Sequence, residues 1–431
     1  MLFLYNLIIL LASQVVKLLV LFSPKMKLFV NGRKIVFSTL QSKINPNDKI
    51  IWFHAASLGE YEQGLPVIEK IKAKFPNHKI IVTFFSPSGY EVRKNNSVAD
   101  VTVYLPLDTI SNAKQFIELV HPEMAFFIKY EYWPNYLNEL KKQQIKTYLI
   151  SGIFRENQAF FKWYGKFYRN ALKTFDCFFV QNESSKTLLQ SIGFNNIKVS
   201  GDTRFDRVVS ILERDNSLDF MDSFTSFGKT KRTTIVIGSS WPKDEELLVN
   251  FINQSADDIK FIIAPHNIKH EQISNLKNQI QKKIILYSEK DERLTRAERT
   301  GVSKQLQHDK IEEFQVFIID TIGILTKIYS YADIAYVGGG FGNPGVHNIL
   351  EPATFGVPIV IGPNYSHFAE ATALVHQEGC ISISNQNELD DAFNLLINNE
   401  DERLEKGHIC STFVQMNKGA TQTIINHINK V

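Results

Sequence analysis

The sequence predicts an α/β protein made of two doubly wound parallel sheets in succession, behind an apolar N-terminal helix. Three observations predict it. From Ile50 onward, short runs rich in β-branched and aromatic residues alternate with longer amphipathic stretches, as strands do when helices cover both faces of a parallel sheet. The alternation pauses once, at "LERDNSLDFMDSFTSFGKTKRT", and then restarts. The length, 431 residues, exceeds one ordinary core and suits two domains, at about 100–200 residues each.

The chain opens with "MLFLYNLIILLASQVVKLLVLFSPKMKLFVNGRK", apolar over residues 1–22 and followed by Lys25, Lys27, Arg33 and Lys34. That length suffices to cross a bilayer. A signal peptide would need a basic start and a small-residue cleavage site, neither of which is evident. An anchor or interfacial helix fits better, with the basic cluster on the headgroups and, by the positive-inside rule, on the cytoplasmic side. The alternative is a hydrophobic helix buried against the body.

The first series of strands is "KIIWFHAA", "KIIVTFFS", "VTVYLPL", "MAFFIKY", "KTYLIS", "CFFVQ" and "IKVSG". The second is "TTIVIGSS", "KFIIAP", "KIILYS", "FQVFIID", "IAYVGGG", "PIVIG" and "ISIS". Each run is separated from the next by a candidate helix, and the two halves, residues 35–214 and 215–410, meet at the polar stretch near residue 215. The charged segment 288–314 reads as a solvated excursion.

Composition narrows the class. Hydrophobic residues at 44% and charged residues at 22% exclude a disordered or fibrous chain. A net charge of +3 gives no argument for a nucleic-acid partner. Three scattered cysteines support neither a disulfide framework nor a zinc site, and fit a reducing compartment.

In open parallel sheets, ligands bind beyond the carboxyl ends of the strands. There, after the first strand, "SLGE" places Ser57 and Glu60. The spacing is that of a capping box, in which Glu60 stabilises the start of its own helix. A chemical role gains support from the other strand ends. Glu131 follows "MAFFIKY", with Pro134 suited to a first helical turn. Asp202, Arg204 and Asp206 follow "IKVSG", where surface charge around a turn is the plain alternative. In "VGGGFGNPGVHNILEPATFGVPIVIG", Gly338, Gly339, Gly340 and Gly342 lead to a predicted helix opened by His347 and Asn348, containing Glu351 and ending near Gly356. Glycine-rich turns entering a helix favour phosphate, through free N–H groups and the helix dipole, and Glu351 is placed to hydrogen-bond a ribose diol. The spacing is not that of a Walker loop. No D-x-D stands at a strand end, so no metal is expected.

Several stretches in order, "FHAASLGE", "YLPLD", "EYWPN", "GDTRFD", "DTIGILTKIYSYADIAYVGGGF" and "GVHNILEPATFGVPIVIGP", resemble the bacterial Kdo transferases. These enzymes move 3-deoxy-D-manno-oct-2-ulosonic acid (Kdo) from CMP-Kdo to the lipid A precursor. The resemblance covers nearly the whole chain. It implies a GT-B glycosyltransferase whose two Rossmann-like domains face a central cleft: an N-terminal acceptor domain, a C-terminal CMP-sugar domain and a final helix, 411–431, crossing back to the first. It implies no cofactor, with CMP-Kdo as donor and lipid IVA as acceptor, at the cytoplasmic face of the inner membrane.

By the same resemblance Glu60 is the catalytic base of an inverting transfer, and Glu131 and Arg204 stabilise its transition state. Many relatives carry lysine where this chain has Arg204, which keeps the charge and changes the hydrogen-bond geometry. CMP contacts fall on Pro265 and His266, on Ile322, Gly323 and Ile324, and on Asn348, Ile349, Leu350 and Glu351. Many relatives have arginine then histidine after that proline. Here His266 and Asn267 follow it, leaving Lys269 or His270 as candidates for the donor phosphate. The segment 154–173, with Arg155, Lys162, Lys166, Arg169, Lys173 and seven aromatic residues, fits an acceptor-facing surface and an ordinary amphipathic helix equally well.

Overall fold

Runs apolar on both faces can satisfy water exclusion only between two layers of helices, and both sets of seven strands do so. In the computed structural model, which describes residues 2–20, 22–95, 98–227, 230–290 and 311–429, the chain divides into two compact units. One is Met1–Arg207 with Asn417–Val431, the other Val208–Met416.

In the first unit the strands are β1 (Lys49–Ala55), β2 (His78–Phe84), β3 (Val101–Tyr104), β4 (Met124–Ile128), β5 (Lys146–Gly152), β6 (Cys177–Val180) and β7 (Ile197–Val199). All pair in parallel, in the order β3-β2-β1-β4-β5-β6-β7. The side-chain period of two sends Trp52, Ala125, Phe127 and Leu149 to one core and Phe53, Phe126, Tyr148 and Ile150 to the other. The chain's last helix, Ala420–Ile428, contributes Ile424, Ile425 and Ile428 to this second core.

The polar stretch before the second unit carries a helix, Asp219–Thr225, and a short hairpin of β8 (Ser226–Phe227) and β9 (Thr230–Lys231). The sheet proper is β10 (Thr233–Ser240), β11 (Ile259–Pro265), β12 (Ile284–Leu286), β13 (Val316–Ile318), β14 (Ile334–Val337), β15 (Ile359–Ile361) and β16 (Cys380–Ser382). It too is all parallel, in the order β12-β13-β11-β10-β14-β15-β16. All fourteen expected strands are present. Residues 291–310 of the charged excursion lie outside the described residues.

In the first sheet the strand order reverses at β1, which has β2 on one side and β4 on the other; in the second it reverses at β10, between β11 and β14. Such switch points leave a crevice beyond the carboxyl ends of the two central strands, because their connections depart in opposite directions.

The boundaries differ from residues 214 and 411. Asp206 accepts from Gly419 N and Thr421 N, both at 2.6 Å, so the chain up to Arg207 stays with the returning helix. At the other end the helix Glu400–Asn417 runs unbroken, burying Cys410 and Val414. The chain turns only at Gly419, whose φ of 112° suits glycine alone.

The helix α1 (Leu2–Leu19) is the one described helix long and apolar enough to cross a membrane, and none of its residues is buried. It is therefore not a core helix. It meets the rest of the first unit at Tyr5, whose hydroxyl donates to Asp108 Oδ2 at 2.6 Å and whose ring lies 5.6 Å from that of Phe167, and at Asn6, whose Oδ1 accepts from Asn135 at 2.8 Å. Lys25, Lys27 and Lys34 are exposed. Arg33 is not a headgroup ligand, however. Its guanidinium donates to the carbonyls of Phe29, Phe85 and Leu105 at 2.7–3.0 Å and lies 3.6 Å from the Phe29 ring centre, tying the ends of β2 and β3 to the helix Pro24–Lys34.

The segment 154–173 is not one amphipathic helix. It forms two 3₁₀ turns, Ala159–Phe161 and Trp163–Gly165, and a short helix, Lys166–Leu172. Arg169 donates to the carbonyls of Phe160 and Lys162, drawing one basic residue out of the predicted solvated face.

Candidate functional site

The switch point of the first sheet holds the two predicted carboxylates. β1 ends at Ala55, and the helix α2 (Leu58–Lys74) begins three residues later. Glu60, in its first turn, accepts from Ala56 N at 2.6 Å and Ser57 N at 3.3 Å, both on Oε2. Among the described residues no hydrogen bond reaches Oε1. The cap thus exists, and it uses one carboxylate oxygen. Burial pushes the Glu60 carboxyl above its ordinary range, and the charge of Glu131 pushes it further, against the lowering effect of the Ala56 bond.

Glu131, 8% exposed, sits in a network the sequence did not reveal. His54, fully buried on β1, places Nε2 3.1 Å from Glu131 Oε2 and Nδ1 2.8 Å from Thr83 Oγ1. Nδ1 also lies 3.2 Å from the Thr83 carbonyl, and since a carbonyl only accepts, Nδ1 is the donor there. The Trp133 indole donates to Glu131 Oε2 at 2.7 Å, with His54 Nε2 at 3.0 Å. The Trp52 indole donates to Thr83 Oγ1 at 2.8 Å. This chain of bonds fixes Glu131 from inside the sheet. The available signal was a histidine within an otherwise apolar strand, since buried polar side chains need partners.

Arg204 follows β7 and is bound to its neighbour: Nε and Nη2 both donate to Asp202 Oδ2 at 2.8 Å. Asp202 is 8% exposed. Between them Thr203 donates to the Gln63 carbonyl at 2.5 Å, tying this loop to α2. Arg204 acts on the charge of Lys129 at the end of β4, and so does Glu60. The structure therefore brings Glu60, Glu131 and Arg204 to one end of one sheet. Asp206 does not join them; it caps the last helix.

At the switch point of the second sheet, Asp244 is fully buried and accepts from Trp241 N, Gly339 N and the Tyr336 hydroxyl at 2.8–2.9 Å. It fastens the glycine-rich turn to the start of the helix Pro242–Gln254. Trp241 stacks on His266, with ring centres 4.4 Å apart, and His266 stacks on His347 at 4.7 Å. The Trp241 indole donates to His347 Nε2 at 2.9 Å. Burial, then the neighbouring His266, lower the pKa of His347. A pocket of 460 Å³ opens here, lined by Trp241, Glu245, His266, Asn267 and Gln272 among others. Lys269 and His270 are exposed at the start of the helix His270–Gln279.

Glu351 joins the other predicted donor residues. Thr326 donates to its Oε2 at 2.9 Å and Asn348 to its Oε1 at 3.0 Å, linking the loop of Ile322, Gly323 and Ile324 to the segment 348–351. Ile322 is 84% exposed and Gly323 has φ 102°. Ile349 and Leu350 are buried, and Leu350 N donates to Asn348 Oδ1 at 3.2 Å. The helix begins at Leu350, not at His347, and has five residues.

The glycines have a packing role as well. A Cβ on Gly340 would lie 2.7 Å from Gly362, and one on Gly338 would lie 2.4 Å from the Ser239 carbonyl. Gly339 N donates to Asp244, Gly342 N to the Gly339 carbonyl and His347 N to the Gly338 carbonyl. Much of the turn's N–H supply is therefore spent within the protein, which weakens the phosphate-cradle argument for these glycines. Among the described residues no three His, Cys, Asp or Glu side chains form a metal-holding group.

Residues 32–207 match the family model described as 3-deoxy-D-manno-octulosonic-acid transferase (kdotransferase). The chain is 28% identical over 390 residues to the 3-deoxy-D-manno-octulosonic acid transferase of Chlamydia trachomatis serovar D, covering 88% of this chain and 86% of that one. It is 25% identical over 393 residues to the Haemophilus influenzae transferase of the same name, with 88% and 87% covered. Among solved structures, UDP-GlcNAc 2-epimerase from Neisseria meningitidis aligns with a TM-score of 0.59 at 14% identity, over 89% of this chain and all of that one. Acinetobacter baumannii MurG aligns at 0.52 and 13%, with the same coverage. At such identities these structures support the two-domain GT-B fold and nothing finer.

Proposed function

We propose that this chain, a homologue of the 3-deoxy-D-manno-octulosonic acid transferases, transfers Kdo from CMP-Kdo to the glucosamine primary hydroxyl of the lipid A precursor lipid IVA. The observation that carries the reading is the pair Glu60 and Glu131 at the switch point of the first sheet. Glu60 is anchored through one oxygen, has the other open, and is made more basic by burial and by its neighbour.

In this reading Glu60 Oε1 takes the proton of the acceptor hydroxyl as that oxygen attacks the anomeric carbon of Kdo. The bond from that carbon to the phosphate oxygen breaks, its electron pair leaves with CMP, and attack from the opposite face inverts the centre. Negative charge develops on the phosphate and positive charge on the sugar, so a fixed cation and a fixed carboxylate each favour the transition state. Arg204, oriented by Asp202, supplies the first, and Glu131, oriented by His54 and Trp133, the second. The donor nucleotide is held by the second unit, through Pro265, His266, Ile322 to Ile324 and Asn348 to Glu351. No cofactor or metal is assigned a role. The helix α1 anchors the chain at the inner membrane with the catalytic units in the cytoplasm, where the acylated acceptor is presented.

The test is incubation with CMP-Kdo and tetraacylated lipid A precursor, with the lipid product resolved by mass spectrometry and Glu60→Gln run in parallel. Addition of one Kdo or more by the wild type, with none by the variant and CMP binding retained, is the expected result. Equal product from the variant would remove Glu60 as base. No product from the wild type, with CMP bound, would overturn the acceptor.

A further inference from the structure

We propose that Lys129 and Arg155, set around the ring of Tyr130 beside Glu60, form a subsite for a substrate oxyanion, a carboxylate or a phosphate. Which substrate carries that oxyanion rests on the transfer reading above; the subsite itself rests on the geometry.

Lys129 follows β4 with φ 71°, a left-handed conformation that a lysine adopts only when its surroundings impose it. The imposition is visible: Lys129 N donates to the Ile150 carbonyl at 3.0 Å, and the Tyr132 hydroxyl donates to the Lys129 carbonyl at 3.2 Å. The half-buried side chain has Nζ 5.2 Å from the Tyr130 ring centre, and the Arg155 guanidinium lies 5.6 Å from the same ring. Among the described residues no hydrogen bond or ion pair reaches Lys129 Nζ.

The surrounding charges sharpen the point. Burial opposes the charge on Lys129 most, and Arg204 and Arg155 oppose it too, while Asp202 and Glu60 favour it. Asp202, however, is already engaged by the fork of Arg204, and Glu60 is held by two N–H groups. Three cations thus act on one place, with Asp202 engaged by Arg204 and Glu60 left with only its Oε1. Such an arrangement costs stability in the free protein, and an arriving anion relieves it through charge-assisted hydrogen bonds. The position beside Glu60 puts that anion next to the transferred proton.

The full-length protein is tested as wild type, Lys129→Met, Lys129→Arg and Arg155→Gln, with inorganic phosphate as the first probe. Phosphate is expected to raise the melting midpoint of the wild type and of Lys129→Arg, and to raise it less in Lys129→Met and Arg155→Gln. Without phosphate, Lys129→Met is expected to melt no lower than the wild type, whereas a purely structural lysine would leave a weakened fold. In turnover, Lys129→Met is expected to raise one apparent KM by about tenfold to a hundredfold, the equivalent of one charge-assisted hydrogen bond, with Lys129→Arg restoring most of it. A rise confined to CMP-Kdo assigns the sugar carboxylate; a rise confined to the acceptor assigns its phosphate. An equal phosphate response in wild type and Lys129→Met, with both KM values unchanged, overturns the subsite. Loss of the phosphate response in a protein that transfers no sugar leaves the subsite standing and overturns the transfer reading.

Discussion

Glu60 caps its helix through one oxygen and, in the proposed reaction, takes the proton through the other, and this division decides how that reaction responds to pH. Its carboxyl is raised by burial first and by Glu131 second. As a base it must be ionised, so the acidic limb of turnover is expected above the ordinary carboxylate range. Glu131→Gln removes the second cause and should move that limb to lower pH; an unmoved limb would show that Glu131 does not act on Glu60. The same shift has a stability consequence with a definite sign. A carboxyl raised in the folded state makes folding favour the protonated form, so stability falls as pH rises from the ordinary carboxylate value through the folded one. At neutral pH, Glu60→Gln should therefore melt higher than the wild type while losing turnover, and a lower midpoint would mean that the cap outweighs the burial of charge. Of this site, Glu60 and Glu131 were legible because strand ends concentrate function in doubly wound sheets. His54 was not, because hydrogen bonds from one strand to the next depend on register, which spacing along the chain does not encode.

Strands and helices were legible to different degrees for a physical reason. A strand buried on both faces is a continuous apolar run, hard to mistake, and all fourteen appear where the runs fall. The helix Asp219–Thr225 escaped because it has seven residues and buries chiefly Met221 and Phe224, too few to set a period. The segment 154–173 misled because its aromatic residues suggest one amphipathic face, while Gly165 has the Ala159 carbonyl 2.0 Å from where a Cβ would stand, so the chain turns there. Asp206 was visible but its purpose was not, since its partners, Gly419 and Thr421, lie more than two hundred residues away. Its carboxylate caps the last helix, and loss of such a cap costs about 0.5–2 kcal/mol. Asp206→Ala should lower the melting midpoint and speed amide exchange in 420–428 ahead of the strands, whereas uniform exchange would mean the helix does not depend on this latch. Asp244 carries more. Its full burial and three bonds mean that Asp244→Ala strands three donors at once, each costing about 1–3 kcal/mol if left unpaired. The expected outcome is a destabilised second unit and loss of CMP binding, checked by denaturant unfolding and nucleotide titration.

At the scale of the whole molecule, the N-terminal helix carries an apolar surface that its contacts with the rest of the first unit leave exposed. Eighteen residues at about 1.5 Å each give a rod of roughly 27 Å, close to the thickness of a bilayer's hydrocarbon core. It has no buried residue, and Leu7, Ile8, Leu10, Leu11, Val15 and Leu18 are exposed. In water this surface would carry a large hydrophobic cost, which contact through Tyr5 and Asn6 does not offset. In the proposed reading a lipid phase covers it, and the exposed Lys25, Lys27 and Lys34 follow where anionic headgroups would lie. Removal of residues 1–22 should therefore leave the fold intact, with circular dichroism and cooperative melting preserved, and abolish co-sedimentation with vesicles of anionic lipid. Whatever binding persists through the three lysines should disappear as salt is raised, because it is electrostatic alone. Binding by the full chain should survive the same salt, because apolar burial is not screened. A truncated chain that unfolded would instead make the helix part of the core, and a full chain released by salt would place it on the membrane surface, not within it.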